Sequence, residues 1–277
     1  MHIGLMGMTL LAADTPESSR LQAQFEAAHS LGVRHLELWV PDWDHPGTVD
    51  RVGELQERYA ISVHLGFIDD YIGHAEKQPT EKFAELVERV CRPLGVHVIG
   101  TCSPLHGGRW LREPPLDEQL DRLASALSRL APVAERNSVV LAVENHADYR
   151  GYELASVLAR VGSVGIGARL DTGNPYAVIE EPVAAAQALA RYTVATHIKD
   201  VIVEAEPGNR GVQPGGLLAL RECTLGQGHV GLGEILPLLA EHSPLGNDLV
   251  LTLEVWGAPI DGSLQYARRA FARYLND

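Results

Sequence analysis

The last apolar run of the chain, Leu249-Val250-Leu251-Thr252-Leu253-Glu254-Val255-Trp256, carries a carboxylate near its end. Burying an unpaired carboxylate costs several kcal/mol or forces it to take up a proton, so Glu254 needs a partner. The same problem recurs three times upstream. Val139-Val140-Leu141-Ala142-Val143 runs into Glu144-Asn145-His146, Ile166-Gly167-Ala168-Arg169-Leu170 into Asp171-Thr172-Gly173-Asn174, and Tyr192-Thr193-Val194-Ala195-Thr196 into His197-Ile198-Lys199-Asp200. One divalent cation shared by Glu144, Asp171, His197 and Glu254 resolves all four at once.

The rest of the chain reads as alternating strands and helices. His2 to Met8 is a short buried strand. Asp14-Thr15-Pro16 reads as an N-cap and first-turn proline. The helix that follows carries Leu21, Phe25, Ala28 and Leu31 on one face and stops at Gly32. Arg34 to Trp39 is the second strand. A helix anchored by Leu55 and Tyr59 precedes the third strand, Ile61 to Leu65. Pro79-Thr80 opens a helix with Phe83, Leu86, Val87 and Val90 inward, and Val96 to Gly100 is the fourth strand. A Gly- and Pro-rich loop, Ser103 to Pro115, carries His106 and Trp110. A long helix then places Leu116, Leu120, Leu123, Leu127 and Leu130 in steps of four and three.

Strands five, six and seven end at Glu144, Asp171 and about His197. Leu154, Val157 and Leu158 mark the helix between the first two, and Val183 to Tyr192 the next. Residues 200–229 form the longest irregular stretch, and such loops in compact domains are usually functional or mobile. Ile235, Leu238 and Leu239 mark the seventh helix, Glu254 ends strand eight, and Tyr266 to Leu275 is a closing amphipathic helix. About eight strand–helix units predict a single (β/α)8 barrel over residues 1–277, with catalytic groups at the C-terminal strand ends, where all four candidates fall. A two-domain, doubly wound arrangement would need a linker near mid-chain, and no stretch there breaks the alternation.

A net charge of −13 argues against nucleic acid and against an anionic membrane surface as partners. Cys91, Cys102 and Cys223 form no short-spaced pair and fit a reducing cytosol. The N-terminus lacks the basic and apolar regions of a signal peptide, and no apolar run approaches the roughly 20 residues of a membrane-spanning helix. A cytoplasmic protein is expected.

Three carboxylates and an imidazole make an oxygen-rich site that suits Mn²⁺ or Mg²⁺, with Co²⁺ and Zn²⁺ also accepted, and not a structural thiolate zinc site. With three negative ligands around one dication the site is near neutral, which suits a neutral polyol better than a phosphate ester.

Val143-Glu144-Asn145, Leu170-Asp171-Thr172-Gly173-Asn174, His197-Ile198-Lys199-Asp200 and Leu253-Glu254 resemble the signature of the xylose isomerase-like TIM-barrel superfamily. Leu225-Gly226-Gln227-Gly228-His229-Val230 is similar to a Gly-x-Gly-x-Val turn common there. The group holds sugar isomerases and epimerases, inosose and dehydroshikimate dehydratases, and type IV abasic-site endonucleases. The resemblance implies metal binding by Glu144, Asp171, His197 and Glu254. It implies a proton-transfer pair in Glu144 and Glu254, working through a metal-stabilised enediolate on a ketose or keto-polyol. A dehydratase acting on a keto-cyclitol, dehydroshikimate or an oxidised glycoside is the alternative, followed by a non-catalytic partner subunit and by an endonuclease. Barrels of this group often pair, which leaves a homo-oligomer open.

Many relatives carry His three residues after the aspartate, where this chain has Asn174. That change argues against the endonuclease reading and makes Asn174 a candidate contact to a substrate hydroxyl. Further candidates for substrate contact are His64 at the end of strand three, Lys199 as an oxyanion partner or an ion pair, and His146 beside the metal. Trp110 and Trp256, with Trp39, sit where aromatics stack on sugar faces or simply pack, and Arg221 lies in the long loop.

Overall fold

The computed structural model describes residues 1–38, 40, 43–66, 79–102, 108–110, 113–205 and 218–276. Trp39 and His106 lie outside the described residues.

Eight parallel strands make one sheet: β1 (His2–Met6), β2 (His35–Leu38), β3 (Ser62–Gly66), β4 (Val98–Thr101), β5 (Val140–Glu144), β6 (Ile166–Asp171), β7 (Thr193–His197) and, after a hairpin described below, β10 (Val250–Leu253). Their order is β10-β1-β2-β3-β4-β5-β6-β7. The seam between β7 and β10 closes through a parallel bridge from Ile198 to Leu253. The Ile198 N–H donates to Thr252 O over 2.7 Å and the Glu254 N–H to Ile198 O over 3.1 Å. The Thr196 hydroxyl completes the seam, donating to Val250 O and accepting from the Thr252 N–H. All eight predicted strands are present, and the sheet with its outer helices is a (β/α)8 TIM barrel.

The helices are α1 (Glu17–Ser30), α2 (Thr48–Tyr59), α3 (Pro79–Leu86), α4 (Arg92–Leu94), α5 (Leu116–Arg136), α6 (Gly151–Val161), α7 (Pro182–Leu189), α8 (Leu232–His242) and α9 (Ile260–Ala270). A π-helical turn, Val87–Cys91, joins α3 to α4. Pro16 is itself the N-cap of α1, without a side-chain cap, rather than its first helical residue. Helix α9 starts six residues before the expected Tyr266 and ends at Ala270, because Pro259 fixes its N-cap. The main core lies between sheet and helices, around Phe25, Leu55, Phe83, Leu127, Leu239 and Phe271. A small cluster of Val98, Ala142, Val194 and Ala195 forms a separate apolar plug. No helix among the described residues is long and apolar enough to cross a membrane.

The stretch expected to be irregular after residue 200 holds an antiparallel hairpin, β8 (Asp200–Ala205) and β9 (Leu218–Cys223). Alternating apolar residues such as Val201 and Val203, and Leu218 and Leu220, give both arms a strand period, which the intervening Gly/Pro-rich segment obscures. Asp200 anchors the hairpin to the glycine turn that follows it. Its carboxylate accepts backbone N–H groups from Val201, Gly226, Gly228 and Val230 at 2.9–3.2 Å.

Candidate metal centre

Strand alternation carries Glu144, Asp171 and His197 to the ends of β5, β6 and β7, with Glu254 one residue past β10. All four are buried. Three carboxylate oxygens surround His197 Nδ1: Glu254 Oε2 at 3.0 Å, Glu144 Oε2 at 3.4 Å and Asp171 Oδ2 at 3.9 Å. Ligand atoms of Glu144, Asp171 and His197 all lie within 4.8 Å of one another. Adjacent ligands about 2.1 Å from a common ion are themselves about 3 Å apart, so these separations bracket coordination geometry.

Each carboxylate has one oxygen held by the scaffold and the other turned inward. Asp171 Oδ1 accepts the N–H groups of Gly173 and Asn174, both at 2.8 Å. Glu144 Oε1 accepts the Asn174 side-chain amide at 3.0 Å. Glu254 Oε1 accepts the Trp256 indole N–H at 2.8 Å and lies 3.0 Å from Lys199 Nζ. The inward atoms His197 Nδ1, Asp171 Oδ2 and Glu254 Oε2 are buried, with Glu254 Oε2 3.0 Å from His197 Nδ1 and Asp171 Oδ2 2.9 Å from Lys199 Nζ. Carboxylate oxygens and an imidazole nitrogen gathered this closely in a buried space are a donor set that fits a divalent cation.

Two buried residues absent from the expected set complete the centre. Both oxygens of Glu37, on β2, lie 3.0 Å from His197 Nε2, which leaves Nδ1 free for the centre. Arg169, on β6, places its guanidinium 3.4 Å from Glu37 and 3.6 Å from Glu144. A Cβ on Gly100 would lie 1.1 Å from Arg169 Nη2, so β4 gives up a side chain to admit it. Neither residue is singled out by the sequence alone. The available signal was a charge placed one or two residues before a strand end in a sheet whose two faces are both covered.

Electrostatics tie these groups together. Burial alone would raise the Glu144 carboxyl, but His197, Arg169 and His146 outweigh it and hold it down at about 2. Burial likewise opposes ionisation of Glu254, which His197, Lys199 and the Trp256 indole bring well below the usual range. Asp171 is pushed up to about 7 by burial, reinforced by Glu254 and Glu144 against Lys199. Burial disfavours the His197 imidazolium, yet Glu37, Glu144 and Glu254 raise its pKa well above the ordinary value. The Lys199 ammonium, held charged mainly by Asp171 and Glu254 against its burial, offsets part of this carboxylate charge. The near-neutral ledger expected from three ligand carboxylates is therefore amended by Glu37, Arg169 and Lys199.

The remaining candidates divide by position. Lys199 Nζ sits 2.9 Å from Asp171 Oδ2, the ion-pair role rather than a free oxyanion donor. The Asn174 side-chain amide donates to Glu144 Oε1. His146 lines the pocket with Met6, Met8, Glu37, Cys102, Glu144 and Glu254. His64 does not join the described lining. It sits two residues before the pocket residue Gly66 on β3, where burial pushes it down to about 4. Trp256 is two-fifths exposed beside Glu254, and Trp110 is half exposed with Arg109 over its ring. Arg221 pairs with Glu204 across the hairpin in the open, away from the cluster.

The family model for the xylose isomerase-like TIM barrel matches residues 25–274. The chain belongs to this family. Among solved structures of the same architecture, a xylose isomerase-like TIM-barrel protein from Mycobacterium smegmatis in complex with magnesium has a TM-score of 0.74 at 15% identity, covering 99% of this chain and 98% of that one. A D-tagatose 3-epimerase-like protein gives 0.73 at 17% identity, with 99% and 98% covered. The probable 3-DHS dehydratase AsbF of Bacillus anthracis gives 0.69 at 15% identity, with 98% and 99% covered. A curated relative, the uncharacterized protein YihM of Escherichia coli (strain K12), is 23% identical over 124 residues, which is 45% of this chain and 36% of YihM. The chain thus matches about a third of that relative's length. At these identities the likeness to the solved structures is one of xylose isomerase-like fold.

Proposed function

We propose that this barrel is a divalent-cation-dependent isomerase or epimerase of a small ketose or keto-polyol. The observation that carries the reading is the set of three carboxylates, each anchored by one oxygen and aimed by the other at His197 Nδ1. Glu144, Asp171, His197 and Glu254 would hold Mn²⁺ or Mg²⁺, with Co²⁺ and Zn²⁺ also suited to the donors. A cation there supplies Lewis-acid stabilisation of the charge that develops on the substrate's carbonyl and hydroxyl oxygens, worth several kcal/mol.

The chain's own residues do the proton work. Glu144 and Glu254 approach from β5 and β10, with β6 and β7 between them, and serve as the pair that removes and returns a carbon-bound proton. Each is worth about 10²–10⁴-fold in rate. Asn174 on one side, and Lys199 with Trp256 on the other, keep each glutamate's second oxygen occupied and so fix the direction of the first. His146, which lines the pocket, and Trp256, two-fifths exposed beside Glu254, would contact the substrate in this reading. A cytoplasmic setting and pairing of barrels complete the proposal.

The dehydratase among the structural neighbours supports a second reading, in which the same proton abstraction expels a β-hydroxyl. Incubating the Mn²⁺-loaded protein with a panel of ketoses and keto-cyclitols in D2O separates the two. An isomer carrying one deuterium supports the first reading, and a product lighter by one water the second. No turnover and no hydrogen exchange on any panel member, in protein shown to hold the cation, would overturn both.

A further inference from the structure

Four buried carboxylates, Glu37, Glu144, Asp171 and Glu254, face two buried fixed cations, Arg169 and Lys199. With His197 neutral, one divalent cation balances them; Glu222, a quarter exposed at the rim, is left to solvent. We infer that Arg169 stands where a second cation would otherwise sit and limits the centre to one divalent ion. The inference rests on the metal-centre reading above and deepens it.

Position, pairing and packing all support this role. Arg169 leaves β6 two residues before Asp171 and reaches Glu37 Oε2 on one side and Glu144 Oε2 on the other. The Glu144 oxygen is the same one that turns to His197 Nδ1. A carboxylate oxygen between two cationic positions is the arrangement that lets paired metal ions share a ligand, and here a guanidinium fills one position.

The pairing itself is loose. At 3.4 and 3.6 Å the contacts exceed the roughly 2.7–2.9 Å of charge-assisted hydrogen bonds. Its Nε has no hydrogen-bond partner among the described residues, and Nη2 lies 3.4 Å from both Leu65 O and Glu37 Oε2. What holds the group is the space vacated at Gly100. A side chain admitted by the loss of another, and poorly hydrogen-bonded once there, contributes charge and volume rather than directed bonds.

Mn²⁺ binding to the wild type, Arg169→Gln and Arg169→Lys tests this directly. Bound metal is counted after gel filtration, and Mn–Mn spin coupling is read by electron paramagnetic resonance. The wild type and Arg169→Lys should saturate at one equivalent without coupling. Arg169→Gln should take a second equivalent, show coupling, and gain more thermal stability from Mn²⁺ than the wild type does. A folded Arg169→Gln that saturates at one equivalent overturns the inference, as does a wild type that takes two. An Arg169→Gln that Mn²⁺ cannot rescue into a folded state overturns it too, since the ion then does not replace the guanidinium. A wild type that takes no cation would instead overturn the metal-centre reading itself.

Discussion

The Asn174 side chain donates to Glu144 Oε1 over 3.0 Å, linking residues 30 apart in the chain. Asn174, where the resemblance led to an expected His, thus supports a candidate ligand. The amide fixes one oxygen and leaves Oε2 as the only one turned to the centre.

Asn174→Ala should therefore let Glu144 rotate and weaken Mn²⁺ binding by about 10–100-fold, the range for outer-shell partners of metal ligands. Asn174→Asp should weaken it further by placing like charges side by side. Isothermal titration with Mn²⁺ checks both. Equal affinity in all three proteins would remove Asn174 from the centre.

Glu37 makes the parallel case for His197. Its carboxylate spans the Nε2 edge of the ring and leaves Nδ1 for the centre. Glu37→Gln should cost about 10–100-fold in cation affinity, because a neutral amide raises the basicity of the imidazole less than a carboxylate does. The reading would fail if affinity held while Glu254→Gln abolished it.

The two proteins of that comparison also mark where sequence reasoning reached and where it stopped. Glu254 was legible because a carboxylate at the end of an apolar strand demands a partner, and four such ends in order left few alternatives. Glu37 was not, because Arg34-His35-Leu36-Glu37-Leu38 alternates like a strand with one face in water. In a closed barrel the alternate face points to the axis, so an identical pattern means burial. Arg169 was passed over inside an apolar run, and its cradle at Gly100 sits on a different strand, 69 residues earlier. The β8–β9 hairpin was missed because the Gly/Pro-rich segment dominated a local reading whose strand periods lay on either side. The eight barrel strands needed only local patterns; the centre's supporting charges needed the closed sheet.

Asp200 is the fixed point of the turn that bears Leu225 to Val230. It accepts four backbone N–H groups, those of Gly226 and Gly228 on the same oxygen. Removing it in Asp200→Ala orphans donors that each cost about 1–3 kcal/mol when buried, so a loss of about 3 kcal/mol or more is expected. Gly228→Ala attacks the contact from the other side. Its Cβ would lie 2.2 Å from Asp200 Oδ1 and 2.6 Å from Val201 O, an overpacking worth about 1–3 kcal/mol. Urea unfolding midpoints measure both, and a Gly228→Ala variant as stable as the wild type would show that the turn can shift freely.

At the opposite end of β2 from the centre, the rings of His2 and His35 lie 4.7 Å apart, and His35 Nδ1 is 2.8 Å from the Ser62 hydroxyl. Burial, with His2 adding to it, pushes the His35 imidazole down to about 4. The unfolded chain takes up this proton near pH 6.5, whereas the folded chain refuses it until about pH 4. Across that window the unfolded state binds more protons, so the contribution of His35 to stability falls as pH drops and is constant above it. His35→Gln removes the titrating group and keeps a polar side chain beside Ser62. The stability difference between wild type and variant, measured by urea unfolding in EDTA at pH 7.5, 6 and 5, should move in favour of the variant as pH falls. Titrations in the metal centre contribute equally to both proteins and cancel in that difference. Parallel curves for the two proteins would mean that His35 protonates in the folded state as readily as in the unfolded one.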